Sequence, residues 1–121
     1  MRHLFLAATL SIAAVTALIS PTDAHASARA QQAWSQINNG AVLIDVRSPS
    51  EFQQGHLNQA LNLPHHSIQY SIKQLELPST QAIVVYCRSG QRSGIAHQIL
   101  SRMGYSNVVN GGGYQEMLAV Q

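Results

Sequence analysis

Two rhythms of apolar and polar positions run along this chain: short continuous apolar runs, and longer stretches with helical spacing. Residues 41–46, Ala41-Val42-Leu43-Ile44-Asp45-Val46, form a buried-strand pattern with a carboxylate near its end. Residues 82–86, Ala82-Ile83-Val84-Val85-Tyr86, form a second, and residues 105–109 read as another. Between them, Leu57, Ala60, Leu61 and Leu63 ahead of Pro64 predict a short return to the sheet. Helical spacing marks residues 28–37, closed by Asn38-Asn39-Gly40. It returns at Ile68, Ile72 and Leu75, before the turn at Pro78-Ser79. It is clearest at Ile95, Ala96, Ile99, Leu100 and Met103, with Gly104 as the stop. Ser48-Pro49-Ser50-Glu51 supplies an N-cap serine, a proline at the first helical position and a glutamate to close a capping box. The short helix it predicts stops at Gly55. Asn110-Gly111-Gly112-Gly113 reads as a flexible turn before a last helical turn or two at residues 114–118.

Strands alternating with helices over one short domain predict an α/β fold with a mostly parallel sheet. In such sheets a ligand sits beyond the carboxyl ends of the strands. Asp45-Val46-Arg47 and Cys87 both fall at such ends, so they are expected to share one face of the sheet.

The first residues read as an address. Arg2 and His3 precede an apolar run at 4–19, and Ala24-His25-Ala26 offers small residues where a signal peptidase reads. The expectation is a signal peptide at residues 1–26, cleaved after Ala26, and a single domain at 27–121 exported to the periplasm or beyond. An uncleaved membrane anchor is the rival, because the apolar run is only a little short of a span. With the leader removed, no stable membrane association is expected. The remaining chain carries six Lys/Arg against four Asp/Glu. Two of the positives, Arg88 and Arg92, lie just after Cys87, and the others are scattered without interleaved aromatics. That distribution excludes a nucleic-acid interface and suits a small anion.

Cys87 is the single cysteine of 121 residues, so it has no internal disulfide partner. It heads the run Cys87-Arg88-Ser89-Gly90-Gln91-Arg92-Ser93, between a buried strand and a helix. A thiol there faces backbone N–H groups at a helix amino end, a setting that favours thiolate over thiol and holds anions. Cys87 is therefore the candidate nucleophile, and Arg88, Ser89, Gly90, Gln91, Arg92 and Ser93 the candidate substrate-binding loop. Gly90 is expected to supply a positive φ. Ser93 is expected to cap the following helix, with donation to a bound sulfur as the alternative. Which arginine meets the substrate cannot be read from spacing. Asp45 and Arg47, two apart on a strand ending, point the same way and are expected to support the site. His56 reads as a structural histidine, and Trp34 as core.

Three segments resemble the rhodanese family. They are Leu43-Ile44-Asp45-Val46-Arg47-Ser48-Pro49-Ser50-Glu51-Phe52-Gln53-Gln54-Gly55-His56-Leu57 with Ala60-Leu61-Asn62-Leu63-Pro64, then Val84-Val85-Tyr86-Cys87-Arg88-Ser89-Gly90-Gln91-Arg92-Ser93, and Gly104-Tyr105-Ser106-Asn107-Val108-Val109-Asn110-Gly111-Gly112. They come in the family's order and span nearly all of residues 27–121. The leader and small size are most similar to periplasmic single-domain thiosulfate sulfurtransferases of the phage-shock type. The resemblance implies a small α/β domain around a five-stranded, mostly parallel sheet flanked by helices on both faces. It also implies transfer of sulfane sulfur from thiosulfate or a similar anionic donor to cyanide or a thiol, through a Cys87 persulfide. A protein thiol is a further candidate acceptor. No metal or organic cofactor is implied.

Two other function classes compete. Phosphatases and arsenate reductases use Cys-x5-Arg, seven residues curled around a tetrahedral oxyanion. Here Arg92 gives Cys-x4-Arg, and Ser93 holds the position where that motif wants arginine. A shorter ring encloses a smaller guest, such as one sulfur atom. A non-catalytic binding module on the same fold is the other rival, and the intact loop argues against it. His65-His66 lacks further ligands at metal spacing, its two rings being expected on opposite sides of an extended segment. Gly111-Gly112-Gly113 lacks the lysine of a phosphate-binding loop.

Overall fold

The computed structural model describes residues 8–9, 11–14 and 21–121. Helix α1 spans Pro21–Asn38, β1 Val42–Asp45, α2 Pro49–Gln53, β2 Leu61–Asn62 and α3 Ile68–Ser71, which runs into a 3-10 turn at Ile72–Leu75. Then come β3 at Ile83–Cys87, α4 at Gln91–Arg102, β4 at Val108–Gly113 and α5 at Tyr114–Ala119. The sheet order is β2-β1-β3-β4, and every neighbouring pair is parallel. Parallel pairing needs crossover connections, and the helices provide them on both faces.

Alternation along the strands sorts the core into two layers. Ile44 and Val46 of the first strand segment and Ile83, Val85 and Cys87 of β3 face Ile68, Ile72, Ala96 and Leu100. Leu43, Val84 and Tyr86 face the other way, against Ala30 and Ala33 of α1 and Met117 of α5. All five residues of β3 are buried, the signature of a central parallel strand. Trp34 packs at the edge of the second layer and donates its indole N–H to the Met117 carbonyl at 2.8 Å.

The α/β architecture is as expected, with four strands in place of five. The apolar pattern itself marks four strand segments, and the resemblance alone implies the fifth; ahead of β1 the chain is helical. That stretch is an 18-residue helix, and no strand precedes it among the described residues. Helix α1 contains the expected 28–37 segment and extends it to Pro21. The charged start of the expected leader and most of its apolar run lie outside the described residues. Among the described residues no helix is long and apolar enough to cross a membrane.

Local signals held where they are self-contained. Ser48 caps α2, with its Oγ accepting from the Glu51 N–H and Glu51 Oε1 accepting from the Ser48 N–H, each at 3.3 Å. The segment expected to re-enter the sheet does so only at Leu61–Asn62, because Leu57 turns into the core and Gln59 takes φ 67°. The glycines after Asn110 are no flexible turn. They continue β4, where a Cβ on Gly113 would collide with the Arg88 carbonyl oxygen. Between Val85 and Tyr86 the β3–β4 register shifts, so that Asn110 pairs with Val85 and Gly112 with Tyr86, leaving Gly111 as a bulge.

Candidate active site

Cys87 ends β3, and α4 begins four residues later at Gln91. The loop between them folds back on the sulfur. The Gly90 N–H donates to Cys87 Sγ at 2.9 Å, and the Ser93 hydroxyl lies 3.4 Å from it. Gly90 occupies the N-cap position with φ 98°, a left-handed conformation that glycine adopts without a Cβ penalty. Ser93 is therefore not the cap: the helix starts two residues earlier than its spacing suggests. Its side chain is buried within the first turn, and its one hydroxyl proton is shared between Asn110 Oδ1 at 2.8 Å and the sulfur at 3.4 Å.

The thiol has no exposed surface, and it lies in the apolar layer beneath α4. Burial pushes its pKa up. Against that act the Ser93 hydroxyl, the Ser93 N–H and the N–H groups of Ser89 and Gly90, and the balance falls below the ordinary thiol value. A buried sulfur that still favours its anion has donors aimed at it.

The two loop arginines differ. Arg92 is held by Glu51 of α2, Nη1 to Oε1 at 2.7 Å and Nη2 to Oε2 at 2.9 Å. The bidentate contact, with Ser48 helping, holds the Glu51 carboxyl down to about 2. Arg88 is exposed, and its guanidinium makes no hydrogen bond or ion pair among the described residues. It lines a polar cavity of about 460 Å³ together with Arg47, Glu51, Gln54, Gly55, Tyr114 and Gln115. Ser89 and Gln91 are exposed on the rim.

Asp45 and Arg47 sit at the same end of the sheet as Cys87 but on its opposite face, because Asp45 pairs in register with Tyr86 and Cys87 is the next residue. Arg47 Nη2 lies 2.7 Å from Asp45 Oδ2 and also donates to the Gly55 carbonyl at 2.7 Å. Its guanidinium lies over the rings of Tyr114 and Tyr86. His56 donates through Nδ1–H to the Phe52 carbonyl at 2.8 Å and stacks on the Phe52 ring. The rings of His65 and His66 meet edge to face at 5.3 Å, where opposite directions were expected, because the chain turns there.

Three residues in this geometry were not singled out by the sequence. Asn110 accepts from Ser93 and from the Gly112 N–H, and donates to the Gly90 carbonyl at 3.0 Å. Arg29 donates to the Ser89 carbonyl at 3.1 Å and makes two hydrogen bonds of 2.8 Å to Glu116. The only local signal was an opposite charge on each of two helices, 87 residues apart, and nothing in the sequence pairs them.

A parallel α/β domain with amides turned onto a thiol at a strand-to-helix turn is an arrangement suited to cysteine chemistry on a small anion. The rhodanese-like domain family matches residues 29–119, and the chain belongs to that family. Among curated relatives it is 39% identical over 74 residues to the thiosulfate sulfurtransferase PspE of Escherichia coli strain K12, spanning 61% of this chain and 71% of that protein. Among solved structures, the E. coli rhodanese with anions is 38% identical with a TM-score of 0.61, covering 64% of this chain and 91% of that one. Human single-domain sulfurtransferase TSTD1 is 27% identical with a TM-score of 0.65, covering 75% of this chain and 93% of that one.

Proposed function

We propose that this protein is a thiosulfate sulfurtransferase that carries sulfane sulfur on Cys87. The carrying observation is the Gly90 N–H donating to Cys87 Sγ at 2.9 Å inside a loop whose hydrogen bonds favour the thiolate. The thiolate attacks the outer sulfur of thiosulfate, the S–S bond breaks, and sulfite leaves with the electron pair. A Cys87 persulfide remains, its outer sulfur anionic. Cyanide or a thiol, small or on a protein, then attacks that outer sulfur and Cys87 leaves as thiolate. The two half-reactions make the kinetics ping-pong, and neither needs a general base. Loop amides stabilise charge at both stages.

Cys87 is fully buried, so the donor reaches Sγ by moving the exposed side chains of Arg88, Ser89 and Gln91 aside while the loop amides stay in place. Arg88 is the loop cation free to draw an anion in, and Arg92 braces α4 against α2. Because Arg92 is engaged with Glu51, it does not complete an oxyanion ring, which argues against the phosphatase reading. Export follows from the leader pattern at residues 1–26, with 27–121 as the domain that acts outside the cytoplasm.

The test is mass spectrometry of the chain after thiosulfate, which is expected to gain one sulfur atom that cyanide removes. Cys87→Ser loses both adduct and turnover; retained turnover in that variant overturns the reading. Hydrolysis of para-nitrophenyl phosphate in preference to thiosulfate turnover favours the phosphatase class. Amino-terminal sequencing of the exported fraction, expected to begin at Ser27, checks the leader.

A further inference from the structure

One peptide unit presents the shortest hydrogen bond to the sulfur among the described residues, and it is gripped from outside the loop. The Ser89–Gly90 peptide directs its N–H at Cys87 Sγ at 2.9 Å. The carbonyl of that same unit, Ser89 O, accepts from Arg29 Nη2 at 3.1 Å. Because the peptide is planar and trans, its N–H and C=O point in opposite directions. Fixing the oxygen therefore fixes where the N–H points. A cation on the oxygen also polarises the unit and makes its N–H a stronger donor.

Arg29 is itself held. Its Nε and Nη2 each lie 2.8 Å from a carboxylate oxygen of Glu116 on α5, a bidentate contact that sets the plane of the guanidinium. Space has been cleared for it on both sides: a Cβ at Gly90 would lie 2.7 Å from Nη2, and a Cβ at Gly112 would lie 2.6 Å from Nε. The guanidinium thus threads between the active-site loop and the end of β4.

We infer that Arg29 is a positioning residue for the Cys87 reaction, acting through the Ser89–Gly90 peptide. It aims and strengthens the amide that holds the sulfur anion. Glu116 in turn orients Arg29. This rests on Cys87 being the reactive thiol. Around that thiol the charged groups are Arg29 with Glu116 from α1 and α5, Arg92 with Glu51 from α4 and α2, the neighbouring Arg88, and Asp45 with Arg47 behind the sheet. Arg29 is paired, so its influence is carried by the peptide more than by net charge. The lowered pKa of Cys87, partly due to the Gly90 N–H, agrees with that arrangement.

The experiment is the pH dependence of Cys87 alkylation by iodoacetamide in the full chain, followed by intact mass. It reads the thiolate directly, whether or not sulfur is transferred. Arg29→Gln is expected to slow alkylation below the midpoint by about tenfold, an upward shift of about one pH unit. Arg29→Lys, with one donor point and no fork, recovers part of that loss. The shift is expected to persist at about 1 M salt, where exposed charges separated by more than about 3 Å are screened. An unchanged midpoint in Arg29→Gln overturns the inference. A shift that vanishes at high salt overturns it in favour of through-space charge. If Arg29→Gln does not fold, Glu116→Gln is expected to give a smaller shift in the same direction, and no shift there overturns it equally. Sulfur transfer that survives Cys87→Ser defeats the nucleophile reading, and the alkylation profiles then still decide what Arg29 does to the thiol.

Discussion

The two faces of the sheet meet at its carboxyl end with opposite electrostatic designs. On one, Asp45 and Arg47 are buried together, and the guanidinium is further engaged by the Gly55 carbonyl and two tyrosine rings. Burial works against the Arg47 charge, the hydrogen bonds to Asp45 more than restore it, and the pair is closed. On the other face, one step along β3, Cys87 Sγ has N–H and O–H donors around it and no cation in contact. A charge paired with its opposite is stable and inert. A charge met by dipoles, with no cation in contact, can form and stay free to react, which is the contrast the proposed role of Cys87 requires at this shared strand end.

The sharpest break of that contrast is Cys87→Ser, expected to reduce sulfur transfer to background while the thermal midpoint barely moves, read by sulfite release and a melting curve. Asp45→Asn should do the reverse. It leaves a buried arginine without its countercharge, so a loss of about 3–5 kcal/mol in urea unfolding is expected. Gly90→Ala forces a side chain into φ 98° against the Arg29 guanidinium, with an expected cost of about 1–3 kcal/mol and a raised alkylation midpoint. Ser93→Ala removes a donor to the thiolate, so the midpoint of Cys87 alkylation should rise, with rates below it falling by about fivefold for a hydrogen bond of about 1 kcal/mol.

The smallest effect concerns Glu51, whose folded pKa lies near 2 against an ordinary 4.5. Its contribution is fully present above the unfolded value and is lost as pH falls through the folded one. Wild type should therefore lose stability between roughly pH 4.5 and 2 more steeply than Glu51→Gln, measured by denaturant unfolding at several pH values.

What could be read from the chain was what neighbours in sequence decide. The capping box at Ser48 and Glu51 involves residues three apart, and the positive φ at Gly90 follows from a tight turn between strand and helix. The buried runs at β1 and β3 declare themselves through composition. The family resemblance likewise covers motifs that are contiguous. Ser93 does not cap α4, because the helix absorbs Gln91 and Arg92 into its first turn and moves the cap to Gly90; its hydroxyl faces the sulfur, as in the alternative expectation. Arg29, Glu116 and Asn110 were invisible for a different reason. The contacts that tie them to the loop and to each other span 17 to 87 residues, and only the packing of α1, α5 and the bulged end of β4 brings them together. The Arg88–Arg92 distinction was equally unreadable, since it depends on Glu51 reaching across from α2.

The complete cover over Sγ also acts as a sieve. Sγ has no exposed surface, so the disulfide of a folded protein is too broad to reach it through the loop as it stands. On the sulfur-carrying role proposed for Cys87, a second sulfur bonded to Sγ would extend the reactive end of the side chain beyond the thiol itself. A lone thiol covered in this way is screened from mixed-disulfide capture without any second cysteine to guard it.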